Sequence, residues 1–247
     1  IGAYFSAILT STYGWPATAA MVVGAVVVGL LSFIIARPIM KLQGHYLAMG
    51  TLGLGVIITI VLTQESDLTG GPDGMPVPGF SIFGWEPYGE TVWYWIIAAV
   101  LVATVWLSLN LIASPVGRAL RAVHGSEIAA ETLGVNVVKY KVLVFVLSAI
   151  IASLAGSLFA HYTGFITPDT SGFIHSIQLV TMVVLGGMAS TFGAVAGAAI
   201  LTILPQLLTV FHDYEHLVFG AVLIGTMIFM RRGLVPTLAD LFNGRQK

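Results

Sequence analysis

All ten Lys and Arg residues of this 247-residue chain fall into three clusters: Arg37 with Lys41; Arg118, Arg121, Lys139 and Lys141; and Arg231, Arg232, Arg245 and Lys247. Around them run apolar stretches at 1–13, 18–36, 45–63, 92–113, 142–160, 178–211 and 217–230. Crossing a hydrocarbon core of ~30 Å takes ~20 helical residues, so the runs at 18–36, 45–63, 92–113 and 142–160 qualify directly as spans. If all three clusters face the cytoplasm, every basic residue obeys the positive-inside rule. The loops 64–91 and 161–177 then lie outside; they hold Glu65, Asp67, Asp73, Glu86, Glu90 and Asp169 and no base. Composition agrees, with 57% hydrophobic and 9% charged residues, where soluble domains carry ~25% charge. The pattern specifies an all-α polytopic transmembrane helical bundle, organised as one domain over 1–247. A net charge of −1 argues against nucleic acid binding, and the lack of cysteine excludes disulfides and thiolate chemistry.

The stretch 178–211 cannot be one span. As a continuous helix it would rise ~50 Å, and a single crossing would leave Arg231 and Arg232 on the wrong side. A broken or re-entrant helix pair is expected, with the break near Gly186-Gly187 and Ser190-Thr191-Phe192-Gly193, where exposed backbone needs protein or a cavity to receive it. Gly186 and Gly187 are thus candidates for lining or hinging a path through the membrane, although a glycine-mediated helix contact is equally compatible. Gly193 and Gly197 form a GxxxG step, which more often marks tight helix packing than a binding site. The short run at 1–13, opening on Ile1, is expected to begin partway into a larger protein.

The loop 114–141 concentrates six of the chain's twenty-one charged residues: Arg118, Arg121, Glu127, Glu131, Lys139 and Lys141. Within it Ser126 is an N-cap candidate, Glu127 suits the positive end of a helix dipole, and Gly134 can close a left-handed C-cap. A helix of two turns is too short to persist alone, so it is expected to dock on a partner or on the neighbouring spans.

Other patterns carry less. Thr69-Gly70-Gly71-Pro72-Asp73-Gly74 reads as a rigid extracytoplasmic turn, with Asp73 able to close an Asx-turn, or less often as a contact for a ligand or partner. His212, Asp213, Glu215 and His216 lack a third metal ligand and the HExxH glutamate, so an interfacial turn is favoured and no metal site is assigned. His161 and Tyr162 read as interfacial anchors, and GTLGLG at 50–55 as close helix packing and not as a dinucleotide loop. None of the four lysines is followed by Ser or Thr, so the chain has no P-loop and binds no nucleotide or other cofactor by any recognisable motif.

The chain resembles the permease subunit of bacterial branched-chain amino acid ABC importers, of the LivM type. The resemblance rests on LQGHYLAMGTLGLG at 42–55, LTGGPDGM at 68–75, EIAAETLGVNVVKYK at 127–141, and HYTGFITPDTSGF with MVVLGGMASTFGAVAGA between 161 and 198. It implies a non-catalytic, multi-pass subunit of the bacterial inner membrane that moves branched-chain or related hydrophobic amino acids inward by alternating access. It also implies three kinds of partner besides membrane lipid: a second permease in a heterodimer, two cytoplasmic ATPase subunits and a periplasmic amino-acid-binding protein. By that resemblance the 127–134 segment is the coupling helix, with Glu127, Ala129, Ala130, Glu131 and Gly134 as its ATPase-coupling residues. The general importer signature runs Glu-Ala-Ala, and here Ile128 separates Glu127 from Ala129. Thr59 stands, with Val56, where many relatives carry a charged pair, which makes Thr59 a candidate pathway residue. The competing readings are an ion-coupled secondary transporter, a membrane hydrolase, or an ABC permease for urea or amides. No titratable pair inside the spans supports the first, and no nucleophile–base pattern the second.

Overall fold

A computed structural model of the protein describes residues 1–42, 44–81, 87, 89–188, 190–208 and 220. The chain divides into two compact units, Ile1–Gly172 and Phe173–Lys247. In the first, α1 (Gly2–Ser11), α2 (Ala17–Ile39) and α3 (His45–Gln64) are followed by a single turn, α4 (Ser66–Thr69). Then come α5 (Glu90–Ala113), α6 (Pro115–Gly125), α7 (Glu127–Thr132) and α8 (Val137–Thr163). The second contains α9 (Phe173–Gly186) and α10 (Thr191–Leu208). Helices α2, α3, α5 and α8 are long and apolar enough to cross a membrane. Among the described residues the only strands are the two-residue pair Met75–Pro76 and Phe165–Ile166.

Small residues hold α1, α2 and α8 together. The buried positions of α2 include Ala20, Gly24, Val28, Ser32 and Ala36, one per turn along a single face. Those of α1 include Gly2, Ser6 and Thr10, and those of α8 include Ser153, Ser157 and His161, each at four-residue spacing. Lipid is as apolar as leucine, so membrane helices associate by close backbone approach across such small-xxx-small faces. A Cβ on Gly2 would overlap Ser153, and one on Gly24 would meet Phe5 Cβ at 3.5 Å. Ser157 Oγ lies 2.9 Å from the Ser153 carbonyl and 3.1 Å from that of Gly2, so its one hydrogen is shared between α8 and α1 inside the seam. By contrast, among the buried residues α5 contributes only Trp93 and α3 only Leu62. Their apolar flanks, open in the isolated chain, suit lipid or a neighbouring subunit.

Helix α8 starts at Val137, earlier than the apolar run at 142–160, because Asn136 Oδ1 accepts from the Lys139 N–H at 3.0 Å and caps it. Lys139 and Lys141 therefore ride on a helix and not in a loop. The acidic loops meet at the other end of the unit: Met75 pairs with Ile166 and Pro76 with Phe165, antiparallel, and the Val77 N–H reaches the Gly164 carbonyl at 2.9 Å. The segments around 75–77 and 164–166 thus share one end of the bundle, while Arg37, Lys41 and Lys139 share the opposite one.

That segregation gives a direct expectation. In this cysteine-free chain, single cysteines at Asp73 and Ile128 are labelled from opposite faces of intact membranes by an impermeant thiol reagent. Labelling of both from one face contradicts the arrangement.

Candidate functional site

At the basic end α5 hands over to a two-helix elbow. Ser114 Oγ accepts from the Gly117 N–H at 3.3 Å and Pro115 occupies the first helical position, a strong start signal for α6. Gly117 sits so close to the Leu111 and Ile112 carbonyl oxygens that a Cβ there would overlap them. Arg121 Nη2 donates to the Ile112 carbonyl at 3.4 Å, near the negative end of α5. The sequence led to one short helix in this loop, and α6 is a second; its polar face masked a Ser-Pro start visible at 114–115.

The following α7 has the two caps expected of it. Ser126 Oγ accepts from the Ala129 N–H at 3.2 Å. Gly134, at φ +82°, ends the helix in a Schellman motif, with Val135 N–H bonded to Ala130 O (3.0 Å) and Gly134 N–H to Glu131 O (2.9 Å). Glu127 Oε1 and Lys141 Nζ are 2.7 Å apart, tying α7 to α8. Ala130 is 1% exposed, in a small core with Val123 and Val137 against which Val135 packs. Of the expected coupling residues, Ala130 therefore faces inward, against Val123 and Val137. The outward face carries Ile128 (77% exposed) and Leu133 (81% exposed), with Ala129, Glu131 and Gly134 also exposed. Sequence reasoning missed Ile128 and Leu133, because the resemblance drew attention to the small and acidic residues between them.

At the acidic end, Thr69 Oγ1 lies 2.7 Å from the Leu62 carbonyl and 2.6 Å from that of Glu65, and accepts from the Gly71 N–H at 3.2 Å. Gly70, Gly71 and Gly74 all have positive φ, and a Cβ on Gly74 would overlap the Ile166 carbonyl oxygen. The 69–74 segment is therefore a rigid turn that seats the strand pair. Gly74 N–H closes it on the Gly71 carbonyl at 3.2 Å. The expected Asx-turn is not formed: among the described residues, the exposed Asp73 has no such bond. Pro72 is also exposed beside it. Thr59 Oγ1 lies 3.1 Å from the Gly55 carbonyl and 3.2 Å from that of Ser171, so it links α3 to the 3-10 turn Pro168–Ser171.

His161 is more than an interfacial anchor. It is 4% exposed, and Nδ1 lies 2.8 Å from the Pro78 carbonyl, which can only accept, so Nδ1 carries a hydrogen. In the neutral ring, Nε2 then accepts from the Ser6 hydroxyl at 2.9 Å. Phe80 packs on its ring with centroids 5.6 Å apart, and Phe80 meets Trp93 at 5.7 Å, so one imidazole joins α1, α8, the 64–91 loop and α5. In GTLGLG, a Cβ placed on Gly50 would meet Leu42 Cδ1 at 3.2 Å, whereas no described atom comes within 4 Å of one on Gly53 or Gly55, so the close packing expected there is formed at Gly50 alone among the described residues.

In the second unit α9 and α10 form the expected helix pair, turning between Gly187 and Ser190. Gly187 has φ +116°, and Ser190 Oγ accepts from the Gly193 N–H at 3.0 Å, capping α10. Added Cβ atoms on Gly186 and Gly193 would each overlap the other's carbonyl oxygen, and one on Gly197 would overlap Met182 O. The glycines bring the two backbones into contact. Alanines at Gly186 and Gly187 would therefore not straighten a helix; one clashes and the other is strained. The His212–His216 group and the cluster Arg231, Arg232, Arg245 and Lys247 lie outside the described residues. Among the described residues no group of three or more His, Asp or Glu is arranged to hold a metal.

Residues 1–227 match the family model described as branched-chain amino acid transport system / permease component. The chain is 32% identical over 260 aligned residues to the high-affinity branched-chain amino acid transport system permease protein LivM of Salmonella typhimurium, covering 96% of this chain and 61% of that protein. It is 31% identical to the Escherichia coli protein of the same name, with the same coverage. It is also 28% identical over 235 residues to the ribose import permease protein RbsC of Haemophilus influenzae, covering 92% of this chain and 68% of that one. The chain thus spans about three fifths of the length of the two LivM proteins. No solved structure matches it significantly.

The contacts within the α9–α10 pair predict which glycines tolerate a methyl group. Gly197→Ala should destabilise the membrane-embedded fold by about 1–3 kcal/mol, the usual cost of overpacking, whereas Gly53→Ala, with open space around it, should be neutral or slightly stabilising. Resistance of the purified variants to unfolding in mixed micelles checks this; equal behaviour would remove the packing role.

Proposed function

The chain belongs to the family of branched-chain amino acid transport system permease components, and on that premise we propose that it is the membrane-spanning subunit of an ATP-driven importer. It carries branched-chain or related hydrophobic amino acids across the bacterial inner membrane into the cytoplasm by alternating access. Its partners are a second permease subunit, two cytoplasmic ATPase subunits and a periplasmic amino-acid-binding protein. The chain performs no hydrolysis itself.

The observation that carries this reading is α7. It is a six-residue helix at the basic end of the bundle, capped at both ends, pinned by Ala130 and by the Glu127–Lys141 pair, with Ile128 and Leu133 left bare. A helix this short is not stable alone, and here the rest of the chain supplies its rigidity. Its outward apolar pair suits a groove on an ATPase. A displacement of that subunit then passes from α7 through Lys141 and Val137 into α8. From α8 it passes along the small-residue seam into α1 and α2, which can tilt together because they share that seam. Gly186 and Gly187 shape the α9–α10 pair, Thr59 holds α3 to the loop after α8, and the 69–74 turn keeps the periplasmic end rigid for the binding protein. The amino acid assignment rests on the higher identity to the LivM proteins than to the ribose permease. Uptake of labelled leucine against labelled ribose separates the two cargos.

Placing aspartates at Ile128 and Leu133 tests the coupling role. A desolvated, unpaired carboxylate costs several kcal/mol at an interface, so the double variant should lose tenfold or more of the ATPase stimulation produced by loaded binding protein, while reaching the membrane at normal levels. Ala130→Arg, in contrast, should lower the amount of folded subunit. Full stimulation in the Ile128→Asp, Leu133→Asp complex would remove α7 as the coupling element.

A further inference from the structure

Between the last turns of α2 and the first turns of α8 lies an open cleft of about 690 Å³. Its rim at the basic end carries Arg37, Lys41 and Lys139. Among the described residues none of these cations forms an ion pair; the ion pair in this region is that of Lys141 with Glu127. The Arg37 guanidinium lies 4.3 Å from the centroid of the Phe33 ring, which holds it over the cleft without neutralising it. Deeper in, the walls become apolar: Phe33 from α2, and Leu143 and Val146 from α8.

The two helices run in opposite directions, so these residues lie in order of depth. Arg37 stands near the end of α2 and Lys139 near the start of α8. Phe33 and Leu143 lie about one turn further in and Val146 about two, some ~5 and ~11 Å below the charges. Positive charge at headgroup level above an apolar trough is the complement of an anionic amphiphile. A free anion would leave the trough wetted and empty, and a neutral lipid would leave three cations unpaired.

We propose that this cleft binds an anionic glycerophospholipid of the cytoplasmic leaflet, its phosphate between Arg37, Lys41 and Lys139 and one acyl chain against Phe33, Leu143 and Val146. The site adjoins the base of α8, where Glu127 pairs with Lys141, so an occupied cleft fixes the level of that helix end against the membrane surface. The proposal depends on the membrane placement of the spans and not on the cargo.

The test uses the complete transporter in vesicles of phosphatidylcholine doped with a phosphatidylglycerol that carries a photoreactive group on its acyl chain. Adducts are expected at 33, 143 and 146, displaced by unlabelled phosphatidylglycerol but not by phosphatidylcholine or inorganic phosphate. A basic residue near an anionic surface strengthens attachment about fivefold, so Arg37→Gln, Lys41→Gln and Lys139→Gln together should cut the adducts by about 100-fold. Leu143→Trp, which fills the trough and spares the charges, should shift or abolish them. Undiminished labelling of the triple variant, equal competition by phosphatidylcholine, or displacement by inorganic phosphate would overturn the proposal. So would a cysteine at 146 that cross-links to another subunit in a complex yielding no lipid adduct.

Discussion

The close approach of α1, α2 and α8 is the contact on which the rest of the first unit depends. In a membrane there is no hydrophobic gain in moving a side chain from lipid to protein, so the helices must earn their association by contact area and interior hydrogen bonds. The chain meets that requirement with residues that are nearly all small: Gly2, Ser6, Ala20, Gly24, Ser153 and Ser157. Because the seam is made of backbone surfaces, Ser157 can hand its hydroxyl directly to a carbonyl of the next helix.

From this seam α8 extends to both ends of the unit. At one end His161 gathers Ser6, Pro78 and Phe80, and the strand pair fastens the two acidic loops. At the other Lys141 and Val137 hold α7. A single rigid helix of 27 residues, about 40 Å long, therefore joins the face proposed to meet an ATPase to the face proposed to meet a binding protein. Among the described residues, helices α3 and α5 bury only Leu62 and Trp93, and their open flanks fit lipid or a second permease.

Much of this architecture is legible in the sequence because membrane chains obey few rules strictly. The length of the apolar runs gives the four spans, and the segregation of Lys and Arg arranges their ends. Local chemistry is equally readable where one residue decides it: Ser126 and Gly134 cap α7, and the impossible length of 178–211 requires the α9–α10 turn. What escapes is whatever depends on three-dimensional juxtaposition. Ala130 and Ile128 are neighbours in a motif, yet one lies inward and the other outward because Val123 and Val137 cover only one side of α7. His161 looks like an edge residue until Pro78, 83 positions away, is brought to its ring. The glycines of 50–55 look like a packing face, but a Cβ on Gly53 or on Gly55 would meet no described atom within 4 Å.

The central claim is that the small-residue seam, and not general hydrophobicity, holds the helices in place. The unfolding free energy of Ser157→Leu beside Ser148→Leu, measured in bicelles by steric trapping, tests it most directly. Both changes add the same apolar volume to the same helix, but Ser157 is fully buried against α1 while Ser148 is exposed. The account predicts a loss of about 1–3 kcal/mol or more for Ser157→Leu and a change within about 0.5 kcal/mol for Ser148→Leu. Equal effects, or a more stable Ser157→Leu protein, would contradict it.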